Sequence, residues 1–248
     1  EVGVEVVRSF YPGDEHWLYV KVYCGIKNSD RLLTEFIKPW VNEALQKQEV
    51  KQWFFIRYYD EVGGGHLRLR FKGEDSALIL KSLHKVLIYC KKLDLVTFFQ
   101  VDTYQRELER YGALNIENSE QLFFYDSQAV VALLDLLELE DPSSEEYRWL
   151  LAAMGIDRFL TDFGYDLTRK KALLEVLKDG FAREFGAGKY LKKQLSEKFR
   201  QCRQDLRKAL LTPEETPLVS ALEIFEMRQM SYGMINRCFG GYKFFSGW

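Results

Sequence analysis

The sequence predicts an α+β protein, in which a ferredoxin-like β-α-β-β-α-β half is followed by a mostly helical half packed on it. Two observations predict this class. In the first hundred residues, segments with the alternation of a strand are interleaved with segments of helical periodicity. From about Ile116 onward the alternation fades and long helical patterns take over. We therefore expect an α/β part over residues 1–112 and a helical part over 113–248, together forming one functional unit.

The first predicted strand covers residues 16–25 (HWLYVKVYCG). Its aromatic and polar side chains fall on one side and its aliphatic side chains on the other, as expected for a strand. The polar residues 28–30 offer an N-cap for the amphipathic helix that follows. Pro39 is expected to kink that helix, because proline lacks the amide hydrogen and its ring clashes with the preceding turn.

Two further strands are predicted over residues 51–59 and 66–72, joined by a turn built on three glycines at 63–65. Consecutive glycines between apolar-aromatic runs are typical of a hairpin. A second helix is expected over about 75–91, where leucines and valines recur at helical spacing. A strand over about 95–104 completes the β-α-β-β-α-β order.

The second half contains five predicted helices, separated by glycine and proline breakers. One of them carries the basic amphipathic run Lys189–Lys208, which fits either a solvated helix face or the edge of a groove for an acidic or leader peptide. The five helices are expected near residues 117–138, 144–163, 168–184, 189–210 and 217–236.

Composition limits the class of protein. Hydrophobic residues make up 47% and charged residues 29%, values that are ordinary for a globular chain, and the net charge is −2. This balance gives no global basic field for nucleic acid or membranes. No apolar stretch approaches the roughly 20 residues that span a bilayer. The four cysteines are far apart and form no CxxC pair, which indicates reduced thiols in a cytoplasmic protein without a zinc site.

The run His66-Leu67-Arg68-Leu69-Arg70-Phe71 is the first candidate for a binding site. Residues two apart on a strand share a face, so His66, Arg68 and Arg70 are expected to project together. Guanidinium groups bind carboxylates through two parallel hydrogen bonds, which favours capture of a carboxylate. An exposed polar sheet face with surface ion pairs is the alternative.

Two further motifs lie outside the predicted hairpin. Glu107 and Arg110 in the string Tyr104-Gln-Arg-Glu-Leu-Glu-Arg-Tyr-Gly are three apart and would meet if the segment is helical, as many surface ion pairs do. Near the C-terminus, Asn236 and Arg237 end an apolar helix pattern that contains Tyr232. Such a pair acts either as a C-terminal cap or as side chains directed into a cleft.

Taken together and in this order, these strings resemble the glutamate-elimination domain of class I lantibiotic dehydratases, also called the thiopeptide-type bacteriocin biosynthesis domain. The resemblance extends from about Trp17 to Gly240. The chain starts at Glu1 without a methionine, which indicates a trimmed or excised segment; it is expected to represent a stand-alone form of the domain.

The resemblance implies a peptide-modifying lyase that removes glutamate from glutamylated Ser or Thr of a precursor peptide, leaving dehydroalanine or dehydrobutyrine. Family arginines correspond to Arg70 and Arg110 and a family glutamate to Glu107, and these are the implied catalytic residues. His66, Arg68, Asn236 and Arg237 are expected to bind substrate. A histidine that family members carry before the Asn-Arg pair is replaced by Tyr232. Either Tyr232 acts as a proton donor, or another group supplies the base, or elimination has been replaced by another reaction.

Two other functions remain open. Stand-alone relatives in thiopeptide pathways form a pyridine ring by a [4+2] cyclisation, and a third alternative is a non-catalytic module that binds the leader peptide or the dehydratase. The expected partners are the precursor peptide and a separate glutamyl-tRNA-dependent dehydratase subunit, and a homodimer is compatible with the sequence. No cofactor, metal, direct nucleic-acid binding or membrane insertion is expected.

Overall fold

The computed structural model describes residues 6–140, 145–184 and 186–238, with the side chains of 138–140, 145–146 and 234–238 outside that description. The chain divides into two compact units, residues 1–135 and 136–248. The mixed helix-and-sheet class predicted from the sequence is confirmed.

The first unit is built on a four-stranded antiparallel sheet. Strand β1 is a short segment, Ser9–Phe10, outside this sheet, and the four strands are β2 (Trp17–Tyr23), β3 (Gln52–Asp60), β4 (Gly64–Lys72) and β5 (Phe98–Asp102). Their spatial order is β3-β4-β2-β5, with every neighbouring pair antiparallel. The spatial order of the strands therefore differs from their order in the sequence, because helical crossovers connect β2 to β3 and β4 to β5.

Helices α1 (Gly25–Arg31) and α2 (Lys38–Gln46) are joined through a π-helical turn, Leu32–Ile37, directly before Pro39. The wider turn accommodates a proline that cannot donate to the preceding ladder. The N-cap predicted at residues 28–30 is wrong. The helix starts at Gly25, whose positive φ of 71° turns the chain directly out of β2.

Helix α3 (Ser76–Lys92) begins where the sequence predicted, with the carboxylate of Asp75 accepting a hydrogen bond from the amide of Leu78 at 2.9 Å. After β5 come strand β6 (Tyr104–Gln105), which pairs with β1, and the single-turn helix α4 (Leu108–Tyr111). The long helix α5 (Ile116–Glu140) contains the boundary between the two units.

One face of the sheet is covered by helices and forms the main core. The aliphatic side chains of β2 and β4 pack against buried residues of the π-helical turn, α2 and α3, including Leu33, Val41 and Leu83. Val131 and Leu134 of α5 belong to the same cluster. The first compact unit therefore extends to residue 135, beyond the change of character expected at residue 113, because the first part of α5 helps to close this core.

The second unit is helical. It comprises α6 (Glu145–Asp162), α7 (Leu167–Glu184), α8 (Lys189–Leu211), a 3-10 turn (Pro213–Glu215) and α9 (Ser220–Cys238). These helices and α5 lie within a few residues of the five predicted ones, since each predicted glycine or proline breaker falls between helices. Among the described residues, no helix is long and apolar enough to cross a membrane.

Candidate functional site

The face of the sheet opposite the main core carries aromatic and charged side chains in register. Because residues two apart on a strand share a face, the pairing of β2, β3, β4 and β5 places these side chains in three rows. The rows are Phe54-Arg70-Tyr19-Asp102, Ile56-Arg68-Lys21-Gln100 and Tyr58-His66-Tyr23-Phe98. The predicted alternation of β4 is confirmed, since His66, Arg68 and Arg70 share this face.

Arg70 lies in a box of three aromatic rings. Its guanidinium carbon is 4.4 Å from the ring centroid of Tyr19, 5.1 Å from that of Tyr104 and 5.2 Å from that of Phe54. The residue is only 9% exposed, and its Nε and Nη1 atoms are buried without a hydrogen-bond partner among the described residues. A buried cation whose donors are unmatched is costly, and the rings offset only part of that cost.

The environment of Arg70 lowers its pKa, mainly because burial disfavours the charged form. The charge of Arg68 lowers it further, whereas Tyr19, Tyr104 and Glu107 raise it. Arginine nevertheless stays protonated at neutral pH. The site therefore presents a fixed positive charge with two buried donors, a geometry suited to a carboxylate.

Arg68 occupies the neighbouring, more open row. Its guanidinium carbon lies 3.5 Å from the ring centroid of Tyr58, and its Nε donates to Nε2 of His66 at 3.4 Å. The Nδ1 atom of His66 lies 3.1 Å from the carbonyl oxygen of Gly64 and 3.6 Å from Oδ2 of Asp60. His66 itself is buried, so it contacts Arg68 rather than solvent.

The glycine turn supports this cluster. A β-carbon on Gly63 would lie 2.1 Å from Cε1 of Tyr23, so only glycine allows the Tyr23 ring to pack beneath the turn. The Tyr23 hydroxyl donates to Oδ2 of Asp60 at 3.1 Å, and the amide of Gly63 donates to Oδ1 at 2.6 Å. These hydrogen bonds, the Gly63 amide above all, hold the pKa of Asp60 below its usual range.

An ion pair between Lys21 and Asp102 lies on the same face. The hydrogen bond from Lys21 counteracts the effect of burial on Asp102, so the pKa of that carboxyl group is lowered. The same contact raises the pKa of Lys21. Both groups are therefore charged at neutral pH, and they lie on the same sheet face as Arg68 and Arg70.

Glu107 and Arg110 form the ion pair expected from their spacing, with Oε2 and Nη1 3.1 Å apart. The helix that carries them, α4, is a single turn, and both side chains are more than half exposed. Glu107 also acts on Arg70 through its charge. The pair is thus exposed to solvent, whereas Arg70 is almost fully buried.

Tyr232 lies in the second unit and is 1% exposed. Its ring is 5.8 Å from the ring of Phe159 and 6.0 Å from that of Phe163, and the guanidinium carbon of Arg228 lies 5.5 Å from its centroid. The candidate proton donor is therefore part of an aromatic cluster. Asn236 and Arg237 lie on α9, but their side chains are outside the described residues.

Comparison with known proteins identifies the family. The family model described as "Lantibiotic biosynthesis dehydratase C-term" matches residues 17–239, nearly the whole chain. The chain belongs to this family. It is 32% identical over 166 residues to the subtilin biosynthesis protein SpaB of Bacillus subtilis and 32% identical over 123 residues to the nisin biosynthesis protein NisB of Lactococcus lactis subsp. lactis.

These relatives are much longer than the chain. The matched region covers 65% of the chain but 15% of SpaB, and 49% of the chain but 12% of NisB. Among solved structures, the tRNA-dependent lantibiotic dehydratase MibB from Microbispora sp. 107891 is similar with a TM-score of 0.51 at 30% identity, covering 59% of this chain and 14% of MibB. TsrL shares the fold, with a TM-score of 0.61 at 14% identity, over 90% of this chain and 67% of TsrL.

The structure of this family member also contains a buried pair that the sequence analysis missed. Arg106 donates through Nε and Nη2 to both carboxylate oxygens of Glu120 at 2.7 Å, and Tyr104 donates to Glu120 at 2.9 Å. Although burial disfavours the cation, the hydrogen bonds and charge of Glu120 raise the pKa of Arg106. Arg106 occurs in the string quoted from the sequence, but its spacing of fourteen residues from Glu120 gives no periodic signal.

In the described part of the chain, no three His, Cys, Asp or Glu side chains are grouped so as to hold a metal ion. The predicted site residues therefore fall into three places. His66, Arg68 and Arg70 share the sheet face, Glu107 and Arg110 pair beside it in the first unit, and Tyr232 lies in the second unit. Their chemical roles stay predictions.

Proposed function

We propose that the chain is a lyase that eliminates glutamate from glutamylated Ser or Thr of a precursor peptide, leaving dehydroalanine or dehydrobutyrine. The observation that carries this proposal is Arg70, a buried guanidinium inside an aromatic box, with two donors that no described residue matches. A protein retains such an uncompensated cation at a cost, and an anionic ligand offsets that cost. Membership of the lantibiotic dehydratase family supports an acidic ligand of this kind.

The reaction requires stabilisation of a leaving carboxylate. A base takes the proton from Cα of the modified residue, the Cβ–O bond breaks, and glutamate leaves with the electron pair while the carbon–carbon double bond forms. Negative charge grows on the departing carboxylate. A guanidinium fixed in a box with little water stabilises that charge more strongly than an arginine in solvent.

Arg68 and Arg110 are placed to hold the remaining groups of the glutamyl moiety. Arg68 is half-buried next to Arg70 and lies flat on Tyr58, so its outer edge is open to a second carboxylate. Arg110 is exposed and paired with Glu107, which we propose orients it or assists proton movement. Tyr232 is our candidate proton donor. Its side chain is almost fully buried in the aromatic cluster of the second unit.

Two finer interpretations accompany this proposal. The strand order β3-β4-β2-β5 and the two crossovers support a ferredoxin-like topology. The tRNA dependence stated for MibB supports a cytoplasmic partner subunit that attaches glutamate to the precursor peptide from glutamyl-tRNA. The expected substrate is then the glutamylated peptide, not the tRNA.

The decisive experiment measures glutamate release. A precursor peptide carrying a verified glutamyl ester is incubated with the chain, and free glutamate and peptide mass are followed. We expect stoichiometric release with loss of the ester mass, which Arg70→Ala and Arg110→Ala abolish. Arg31→Ala, which removes an exposed ion pair with Glu35, is the control and should react like wild type. Intact ester after prolonged incubation with the wild-type chain would refute the proposal.

The same assay separates the two alternatives. A [4+2] cyclase leaves the glutamyl ester untouched but acts on a fully dehydrated peptide and releases the leader. A binding module retains the peptide or the dehydratase and converts neither. Each result differs from elimination in the identity of the released molecule.

A further inference from the structure

Helices α7 and α8 of the second unit expose nearly all of their side chains. Apart from Ala209 near the end of α8, neither helix has a buried residue among those the structure describes. Leu174 and Leu177 of α7 are exposed nevertheless. Helices in proteins derive most of their stability from burying an apolar face, not from intrinsic propensity. Helices of 18 and 23 residues with so little buried surface therefore have apolar side chains that the described residues leave exposed.

On α8 this face is a continuous stripe. Its apolar side chains, Leu195, Phe199, Cys202, Leu206 and Ala209, recur at alternating spacings of four and three, which is the pattern of helix–helix packing. Burial decreases along it. Ala209 is buried and Cys202 half-buried, whereas Phe199 is 50% and Leu195 57% exposed.

The buried end of the stripe shows what covers it. Helix α6 packs on α8, and its Trp149 and Leu150 line a groove of about 640 Å³ together with Cys202 and Ala209. The sequence of α8 thus encodes a face for helix packing along its length, and α6 occupies only its C-terminal part. A second helix placed in line with α6 would cover the rest.

The positive charge around the stripe indicates which kind of helix would bind there. Residues 189–211 carry eight basic and two acidic side chains, a net charge of +6 in a chain whose net charge is −2. Lys192, Lys198 and Arg203 flank the stripe. A complementary surface therefore has an apolar stripe bordered by Asp and Glu.

We propose that helix α8 forms a docking surface for an acidic amphipathic helix of a partner protein. The proposal depends on the second unit alone and is independent of glutamate elimination. The apolar stripe supplies the affinity, and the basic flanks favour acidic helices over basic ones.

Other occupants fit less well. A second copy docked on the same surface would oppose two charges of +6, which disfavours a symmetric dimer. RNA would use the cations but would gain little from a row of leucines. An anionic lipid surface takes up an amphipathic helix lying flat, whereas here the stripe already continues into a packed helix pair.

The test uses the full chain and a synthetic fluorescent peptide of about three heptads with leucines at helix-packing spacing and glutamates beside them. A matched peptide carries lysine in place of each glutamate. Fluorescence anisotropy should show binding of the acidic peptide at least tenfold tighter than that of the basic peptide. Leu195→Glu and Phe199→Glu should each weaken acidic-peptide binding about tenfold or more, and both side chains are exposed, so the fold should persist.

Leu78→Glu on α3 introduces the same charge at an exposed leucine of the first unit and should leave binding unchanged. Failure of the acidic peptide to bind better than the basic peptide at about 0.1 mM would overturn the proposal. So would tighter binding of phosphatidylglycerol vesicles or bulk tRNA that Leu195→Glu abolishes. Self-association that Leu195→Glu abolishes would assign the surface to a second copy instead.

Discussion

The Nε atom of Arg68 donates a hydrogen bond to Nε2 of His66, two residues earlier on the same strand, at 3.4 Å. The other ring nitrogen of His66, Nδ1, lies 3.1 Å from the carbonyl oxygen of Gly64. With its proton on Nδ1, His66 donates to that carbonyl oxygen and leaves Nε2 as the acceptor for Arg68. We therefore regard His66 as a residue that positions Arg68, whereas the sequence alone suggested direct substrate binding.

If this assignment is right, replacing His66 affects substrate binding more than chemistry. His66→Leu removes the acceptor for Arg68, so the guanidinium loses its fixed orientation over Tyr58. We expect the KM for the glutamylated peptide to rise several-fold while kcat changes less. His66→Gln, which retains an acceptor, should recover part of the loss. Equal kcat and KM for His66→Leu and wild type would contradict the positioning role.

Arg70 should be essential for activity but not for stability. Its cation is buried with two unmatched donors, so Arg70→Met removes an uncompensated charge while filling similar space. We expect glutamate release to be abolished while the free energy of unfolding stays equal to or above that of wild type. Urea denaturation checks the second part. A loss of more than about 2 kcal/mol would show that Arg70 stabilises the fold.

For Arg106, whose charge is paired with that of Glu120, we expect substitution to lower the stability of the fold. Arg106→Met leaves the carboxylate of Glu120, which is 0% exposed, buried without its partner. Breaking such a pair costs about 3–5 kcal/mol. The double variant Arg106→Met/Glu120→Leu removes both charges and should be more stable than Arg106→Met alone. Thermal or urea unfolding of wild type and the two variants measures this, and a double variant no more stable than Arg106→Met would contradict it.

Asp60 should contribute to the acid sensitivity of the first unit. Its folded-state pKa lies below the unfolded value, so the unfolded chain binds the proton more readily. The stabilisation is complete above the unfolded pKa and is lost as pH falls through the folded pKa. Asp60→Asn should therefore lose less stability than wild type between pH 7 and about pH 3 in urea denaturation. Glu61→Gln, at the neighbouring exposed carboxylate, is the control, and identical pH dependence of Asp60→Asn and wild type would contradict the prediction.

Much of the backbone was predictable because it depends on local patterns. The alternation in β4 and the spacing of leucines in α3 identify a strand and a helix without knowledge of their neighbours. The start of α1 was not predictable in this way. The polar residues 28–30 resemble an N-cap, but the positive φ of Gly25 and the exit from β2 start the helix earlier.

The same distinction between local patterns and tertiary structure applies to the candidate site. Spacing predicted that His66, Arg68 and Arg70 share a face and that Glu107 meets Arg110. It did not predict that Arg70 is buried while Arg110 is exposed. The rings around Arg70 come from β2, β3 and β6, and their convergence depends on strand order and register.

By itself, the sequence determined the family, the mixed class and the residues that project from each face of β4. Those properties follow from composition and from a repeat of two or of 3.6 residues, which nearby positions encode. Only the tertiary structure decided which charges are matched: Arg106 by Glu120, fourteen residues away, and Arg70 by no described residue. Whether a buried cation is matched depends on which distant side chains pack beside it, because removal from water is what makes an unmatched charge costly.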